Sequence, residues 1–332
     1  MNDGNALKPL GEWLSEQALD EQRRAQHTLA NWTLAAQGAY AENTKRAWRA
    51  DWNCFHTYCE GTQQMSLPAS PETVKGFLDH CVDLQKKAAT IRRYVATITR
   101  AHKAAGCADP CSEEIVKLAL RTAQRSMTTR QKQAKGLNWD AIQLYLTIGP
   151  TELRDHRDRA MVLVAYDAML RREEVVAVEV DDLQFNTDGS GTLLIRKSKT
   201  DQESEGALQY LAPDTLRLLR HWMDVAGIVD GKIFRRVIGK HTVGKPLTPA
   251  SVVAVFQRVG KWLGLPREAW LGFTGHSARV GVTQDLVAQG MGDLQIAQAG
   301  RWKDSRMPQR YAAQLRTKQG AISKLSKLQA RD

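Results

Sequence analysis

The sequence predicts a mainly α-helical protein in two parts. An all-helical first domain spans 1–126, a linker follows at 127–137, and a mostly helical second domain with a small antiparallel β-sheet spans 138–332. Three observations predict this. Apolar residues recur at spacings of three and four along most of the chain, the period of an amphipathic helix. Strand signals, with β-branched runs bounded by turn residues, cluster between 176 and 211. The chain, at 332 residues, exceeds what one hydrophobic core usually serves.

Residues 11–37 carry Trp13, Leu14, Leu19, Leu29, Trp32 and Leu34 at helical intervals. In the helix predicted over 42–60, Trp48, Trp52, Phe55 and Cys59 form one stripe, with Lys45, Arg46 and Arg49 off it. Ser70-Pro71-Glu72 reads as a helix start, with serine as cap and proline in the first turn, for a helix to about 84. Ile91, Val95 and Ile98 give the apolar face of a helix over 88–104, and Arg92, Arg93, Arg100 and Lys103 its cations. Ser112 with Glu113 and Glu114 caps a fifth helix to about 126. The polar, basic stretch 127–137 is the linker.

Asn138 caps a short helix through Tyr145, and 157–170, apolar nearly all round, predicts a core helix that ends at Arg171-Arg172-Glu173-Glu174. Strands are predicted over 176–183, 192–197 and 207–211, with Asn186 to Gly191 as a turn by composition. Pro213-Asp214 starts a helix to about 226, and 233–247 reads as an irregular basic loop. Thr248-Pro249 caps a helix to about 263 with Val252, Val253, Phe256 and Val259 on its face. A tail helix over about 317–331 places Ile322, Leu325 and Leu328 between Lys324 and Lys327.

A net charge of +11 and a pI near 9.5 indicate an anionic partner, nucleic acid ahead of a membrane surface. No apolar run approaches the ~20 residues of a spanning helix, and the start of the sequence lacks an apolar signal-peptide core. A cytoplasmic protein without a membrane partner is therefore expected. Cys54, Cys59, Cys81, Cys107 and Cys111 all lie in the first third. Their spacings, with His56, His80 and His102 nearby, match no zinc pattern, so reduced thiols are expected, Cys54 and Cys81 in the core.

The stretch 274–311 concentrates the chemistry. His276 and Arg279 stand three apart at a helix start, and positions i and i+3 share a face, so an imidazole and a guanidinium can converge on one phosphate-sized anion. Trp302 follows, and Tyr311 nine residues later. Residue by residue, Tyr311 and Trp302 also read as core-packed aromatics and His276 as a surface histidine. The ordered set is more specific: an arginine before the strands, a lysine on a hairpin, then His-x-x-Arg, Trp and Tyr. It resembles the tyrosine recombinases of the phage integrase family, with the string GHSARVG at 275–281 and the Trp302 to Tyr311 interval carrying the likeness. The second half is similar throughout its motifs, the first half only in its helical layout.

The resemblance implies the DNA breaking-rejoining fold, a core-binding domain followed by a catalytic one, and a nucleophile at Tyr311 that forms a 3'-phosphotyrosyl link. Arg171 and Arg279 become guanidinium clamps, whose planar forks match phosphate oxygens. Arg171 is preferred to Arg172 because Glu174 then falls at i+3, matching the family's Arg-x-x-Glu. Lys199, beside Thr200, is preferred to Lys197 as general acid to the 5'-oxygen. His276 would assist Tyr311 as base or bond the phosphate, and Trp302 would offer its indole N–H to an oxygen. The family also implies double-stranded DNA sites, a homotetramer, exchange through a Holliday junction, no cofactor or metal, and a tail helix docked on a neighbour. Lys45, Arg46, Arg49, Arg92 and Arg93 are the candidate DNA contacts of the first domain. One departure stands out: Arg301 precedes Trp302 where the resembled motif has glycine. The rival functions are a DNA-binding regulator that keeps the fold without cleavage and a relaxing topoisomerase of the type IB kind.

Overall fold

The helix starts that the sequence marks at Ser70, Asn138 and Pro213 are used as it writes them, and the one it marks at Ser112 is not. The computed structural model describes residues 15–127, 133–196 and 206–331, and the chain divides into units at 1–131 and 132–332. The first unit holds α1 (Glu16–Ala35), α2 (Glu42–Gly61), α3 (Pro71–Asp83), α4 (Ala88–Ala104) and α5 (Glu114–Ser126). Residues 11–14 of the predicted first helix lie outside the described residues. Ser15 and Ser70 cap α1 and α3 by accepting from Ala18 and Thr73 N–H. Ser112 does not cap α5. It closes a 3-10 turn, Pro110–Ser112, and its hydroxyl donates back to the Asp109 carbonyl at 2.7 Å, so Glu113 takes the cap position. Phe55, Phe77, Leu78, Ile91 and Ile98 form the core. Burial pushes the Cys59 and Cys81 thiols up to about 12, which makes them inert packing groups, while Cys54 is only half-buried.

The second unit begins inside the predicted linker. Lys135 N–H donates to the Gly272 carbonyl at 3.0 Å and Leu137 N–H to the Ser277 carbonyl at 2.9 Å, and Leu137 is fully buried. Residues 133–137 are thus laid onto this unit, and the basic composition that marks a linker stops describing the chain where Leu137 enters the core.

Then follow α6 (Trp139–Thr147), α7 (Leu153–Asp167), α8 (Arg172–Val175), β1 (Leu183–Phe185), β2 (Gly191–Ile195), β3 (Ala207–Leu211) and α9 (Pro213–Ala226). The order is β1-β2-β3, antiparallel, with Leu183 opposite Leu193 and Gly191 opposite Leu211. The strand expected over 176–183 is corrected: around Glu179 the chain makes only an isolated antiparallel bridge, to Lys232, and the pairing with β2 starts at Leu183, after a 3-10 turn at Val180–Asp182. The Asp182 carboxylate accepts the Glu179 N–H at 2.9 Å and so curls the backbone that a strand would need extended. The loop expected over 233–247 is also corrected. It forms a hairpin, β4 (Arg235–Ile238) and β5 (Thr242–Pro246), turning at Gly239 with φ +60°.

The unit closes with α10 (Pro249–Trp262), α11 (Arg267–Trp270), α12 (Ser277–Ala288), α13 (Asp293–Ala299), α14 (Arg306–Tyr311), α15 (Ala313–Gln319) and α16 (Ala321–Leu328). On α10 the buried face is Val252, Val255, Phe256 and Val259, with Val253 at its margin. The single tail helix expected over 317–331 is instead broken at Gly320, which is extended.

Side chains at the end of α7 lock that helix in place. Tyr166 donates to Asp285 of α12 at 2.5 Å, and the same carboxylate accepts the Trp139 N–H at 2.7 Å. Asp167 accepts from Thr215 at 2.6 Å and from the Ala212 N–H at 2.9 Å, which fixes the start of α9. The segment leaving α7, where Arg171 sits, therefore departs from a fixed point.

Candidate active site

Two helix ends face each other at the centre of the second unit, and both end the same way. At the end of α7, Leu170 N–H reaches back to the Ala165 carbonyl at 3.1 Å around Met169 at φ +48°. At the end of α13, Trp302 N–H reaches the Ala297 carbonyl at 2.9 Å and Arg301 N–H the Gln298 carbonyl at 3.0 Å, around Arg301 at φ +53°. This six-to-one closure with a left-handed residue is the Schellman turn, and its left-handed position is usually glycine. A side chain there costs about 1–2 kcal/mol, so Met169 and Arg301 are held by what their neighbours gain.

Arginines supply that gain. Arg279, on the first turn of α12, is 1 % exposed. It donates to the Met169 carbonyl and, at 2.5 Å, to the Gly300 carbonyl, and so bonds both helix ends. Its guanidinium carbon lies 4.6 Å from the centre of the Trp302 ring. Burial first, then the charges of Arg171 and Arg301, lower its pKa to about 9, so it stays cationic at neutral pH. Arg171 precedes α8, and Glu174 holds it twice, accepting its N–H at 2.9 Å and its guanidinium at 2.6 Å. The buried Glu174 carboxylate accepts a third bond, from Arg301 at 2.7 Å, and Arg301 also donates to the Ala168 carbonyl at 2.9 Å. Arg172 instead turns to Glu173, at 2.9 Å, on the exposed side.

The i+3 spacing of Arg171 and Glu174 thus becomes a contact. Arg171 and Arg279 enter one network, through Glu174, Arg301 and the Met169 carbonyl, with more guanidinium than carboxylate charge. Such a cluster suits an arriving anion, since buried like charges need a counter-charge. Arg301, legible in the sequence only as a break in a motif, is the residue that residue-type reasoning missed.

Tyr311 ends α14, and its ring meets that of Trp302 edge-on, with centroids 5.7 Å apart. Its backbone is held as well: the Tyr311 carbonyl accepts from Gln133 at 2.8 Å and from Gln284 at 3.2 Å. The buried Ala312 packs with Val287 and Ile296, which seats the chain just after the tyrosine. His276 takes the cap position of α12, one turn before Arg279, and is exposed while Arg279 is buried. Partial desolvation of its ring and the charge of Arg279 lower its pKa, against an opposing pull from Glu173, so the imidazole is neutral at pH 7. Lys199, with Lys197 and Thr200, lies outside the described residues.

The first unit divides its cations between structure and surface. Arg93 forms a two-pronged pair with Asp51, both contacts at 2.7 Å, and Asp51 is 2 % exposed, so this arginine ties α4 to α2. Arg100 lies over Trp48, 4.4 Å from the ring centre, and bonds the Tyr40 hydroxyl at 3.2 Å. Lys45 pairs with Glu42. Arg46, Arg49 and Arg92 are exposed.

The model of the phage integrase family matches residues 128–318, more than half of the chain, and that of the phage integrase N-terminal SAM-like domain matches 29–106. The chain belongs to the phage integrase family. It is an enzyme of the tyrosine site-specific recombinase class. The integrase/recombinase XerD homologue of Selenomonas ruminantium is 30 % identical over 286 residues, 82 % of each chain. The Cre recombinase of Escherichia phage P1 is 24 % identical over 306 residues, 86 % of this chain and 88 % of that one. Among solved structures, the Tn1549 transposon integrase in complex with transposon right-end DNA superposes with a TM-score of 0.59 at 14 % identity, covering 90 % of this chain and 99 % of that one. A lambda integrase dimer bound to a COC' core site gives 0.56 at 17 %, over 86 % and 94 %. These two likenesses establish the fold of this phage integrase, mainly helical with small antiparallel sheets.

Proposed function

We propose that this recombinase cleaves and rejoins double-stranded DNA at specific sites through a 3'-phosphotyrosyl intermediate on Tyr311, without a metal ion. The Tyr311 oxygen attacks the scissile phosphorus, the phenol proton passes to His276, and the bond to the 5'-oxygen breaks. Lys199 protonates that leaving oxygen, and a partner strand's 5'-hydroxyl reverses the step. Arg171 and Arg279 carry the charge that grows on the non-bridging oxygens, in the manner of preorganised oxyanion donors. Glu174 orients Arg171, and Trp302 sets the places of Arg279 and Tyr311. Exchange runs in two rounds through a Holliday junction in a homotetramer spanning two sites. Lys45, Arg46, Arg49, Arg92 and Arg93 meet the duplex from the first unit, Lys45 and Arg93 while paired with Glu42 and Asp51, and the protein works in the cytoplasm.

The observation that carries this reading is the pairing of Arg279 with both helix ends and with Trp302, whose ring touches that of Tyr311. A nicked suicide substrate carrying a site selected from a genomic library tests it. A covalent adduct that disappears in Tyr311→Phe is the expected result. Tight binding without adduct makes the protein a regulator, and relaxation of any supercoiled plasmid irrespective of sequence makes it a topoisomerase.

A further inference from the structure

Arg301 occupies a place that local backbone rules reserve for glycine. Its φ of +53° lies in the left-handed region, at the position of a Schellman turn where glycine carries no steric cost. The side chain that bears this strain is spent inward. One guanidinium nitrogen donates to the Ala168 carbonyl at 2.9 Å, and the other to Glu174 at 2.7 Å and to the Met169 carbonyl at 3.4 Å. Ala168 and Met169 form the end of α7, where helix carbonyls have no partner within the helix and a cation is favoured. The Met169 carbonyl is also the acceptor of Arg279, and Glu174 is also the acceptor of Arg171.

We infer that Arg301 is a positioning residue for the cleavage reaction: it ties the carboxylate that orients Arg171 to the helix end that orients Arg279, so that both guanidiniums hold one geometry around the phosphate. The inference rests on the phosphate-clamp reading of Arg171 and Arg279. It has an electrostatic side as well. Glu174 alone would offset much of the Arg171 charge. With Arg301 sharing that carboxylate, three guanidiniums face one carboxylate, and the surplus positive charge is available to an anion gaining charge in the transition state. With glycine at this place two guanidiniums, Arg171 and Arg279, would face the carboxylate instead of three, so Arg301 raises the positive charge of the cluster without itself touching the phosphate.

The backbone makes the test unusually clean. Arg301→Gly removes the guanidinium and its bonds while relieving the left-handed strain, so part of the stability loss is offset, and a fall in rate well beyond the fall in midpoint marks positioning. Adduct formation on the suicide substrate, DNA affinity and thermal midpoint are measured for the full chain, for Arg301→Gly and for Arg301→Lys, which keeps a charge but not the fork. The expected result is an adduct rate about 100-fold lower in the glycine variant, the scale of a misplaced reacting group. DNA affinity holds, the midpoint falls by less than the lost hydrogen bonds alone would cost because glycine relieves the left-handed strain, the rate of the lysine variant lies between, and added guanidinium ion at non-denaturing concentration restores part of the glycine variant's rate. A glycine variant that cleaves at the full rate overturns the inference while the wild-type adduct keeps the phosphate-clamp reading intact. Equal losses of rate and midpoint in both variants overturn it too, since that is a folding defect. A wild-type protein that forms no adduct removes the reading and the inference together.

Discussion

Arg301 donates to Glu174 at 2.7 Å from a backbone at φ +53°, so a strained helix end and a buried ion pair stabilise each other. Glu174 accepts from Arg171 on the other side. The geometry around the proposed phosphate site is therefore set largely by one carboxylate between two arginines, with α7 and α13 supplying the carbonyls that complete the hydrogen bonding.

Replacing that carboxylate by a neutral amide tests the arrangement. Glu174→Gln leaves two buried guanidiniums facing an acceptor with no charge, and breaking a buried pair from one side costs on the order of 3 kcal/mol. Urea unfolding of the full chain should show a lower midpoint at unchanged slope, and the adduct should form more slowly. An unchanged midpoint means that the two arginines find other counter-charge.

Arg279→Lys keeps the charge and loses the fork. One ammonium cannot serve the Met169 and Gly300 carbonyls from below Trp302 and still reach a phosphate. Loss of one such donor typically costs about 100- to 1,000-fold in rate. Single-turnover cleavage at saturating DNA should fall by that much, and a rate within a few-fold of wild type would remove Arg279 from the phosphate.

Much of this was legible in the sequence, and the misses share a cause. Ser70, Asn138 and Pro213 mark helix starts through local chemistry, and the starts stand where they point. Arg171 and Glu174, paired by their i+3 spacing and the family's Arg-x-x-Glu, are 2.6 Å apart. The alternation at 176–183 imitates a strand because Val176 and Val178 do enter the core, but the chain pairs there only through one bridge, Glu179 with Lys232, before Asp182 bends the backbone. The hairpin at 235–246 was hidden because its strands carry Arg236, Lys245 and Gly244 rather than an alternating apolar face. Arg301 could be read only as a departure. Its guanidinium meets residues more than 120 positions earlier, a contact that no local pattern encodes.

Gly281 shows what the close approach of 133–137 requires. A Cβ at this position of α12 would overlap the Leu137 carbonyl, a backbone atom with no rotamer to yield. Gly281→Ala should therefore destabilise the second unit by about 1–3 kcal/mol, the usual cost of overpacking. Gly61→Ala, where a Cβ meets nothing within 4 Å, is the control and should be close to neutral. Equal midpoints for the two variants would mean that the segment at 133–137 moves aside.

His102 gives the first unit a defined acid sensitivity. The ring is fully buried, its Nε2 accepts the Ala69 N–H at 2.9 Å, and its Nδ1–H donates to the Ile98 carbonyl at 2.8 Å, so the native state holds the neutral tautomer. Burial lowers its pKa below that of the unfolded chain, which is about 6.5. The unfolded state then binds more protons, so this stabilisation is complete above pH ~6.5 and is lost as pH falls toward the native value. Denaturation of the full chain between pH 7.5 and 5 should show that loss. His102→Gln, which can accept and donate at the same two partners without titrating, should flatten it. An identical pH slope in the variant would assign the acid sensitivity to other groups.

His276 should leave its mark on the rate. Without DNA its imidazole is held neutral below the ordinary range by partial desolvation and by the nearby charge of Arg279, partly offset by Glu173. A neutral ring can accept the Tyr311 proton, so the second-order rate of adduct formation at limiting DNA should be level near pH 7 and decline only below pH ~6.5. The phosphate adds a negative charge beside the ring and raises its pKa in the complex. The acid limb measured at saturating DNA should accordingly sit at higher pH than the limb measured at limiting DNA. Both limbs belong to one imidazole, so His276→Gln should be slower and lose both. Rates that climb as the pH drops would instead make the protonated ring the active form, with His276 binding the phosphate as a cation and the Tyr311 proton leaving by another route.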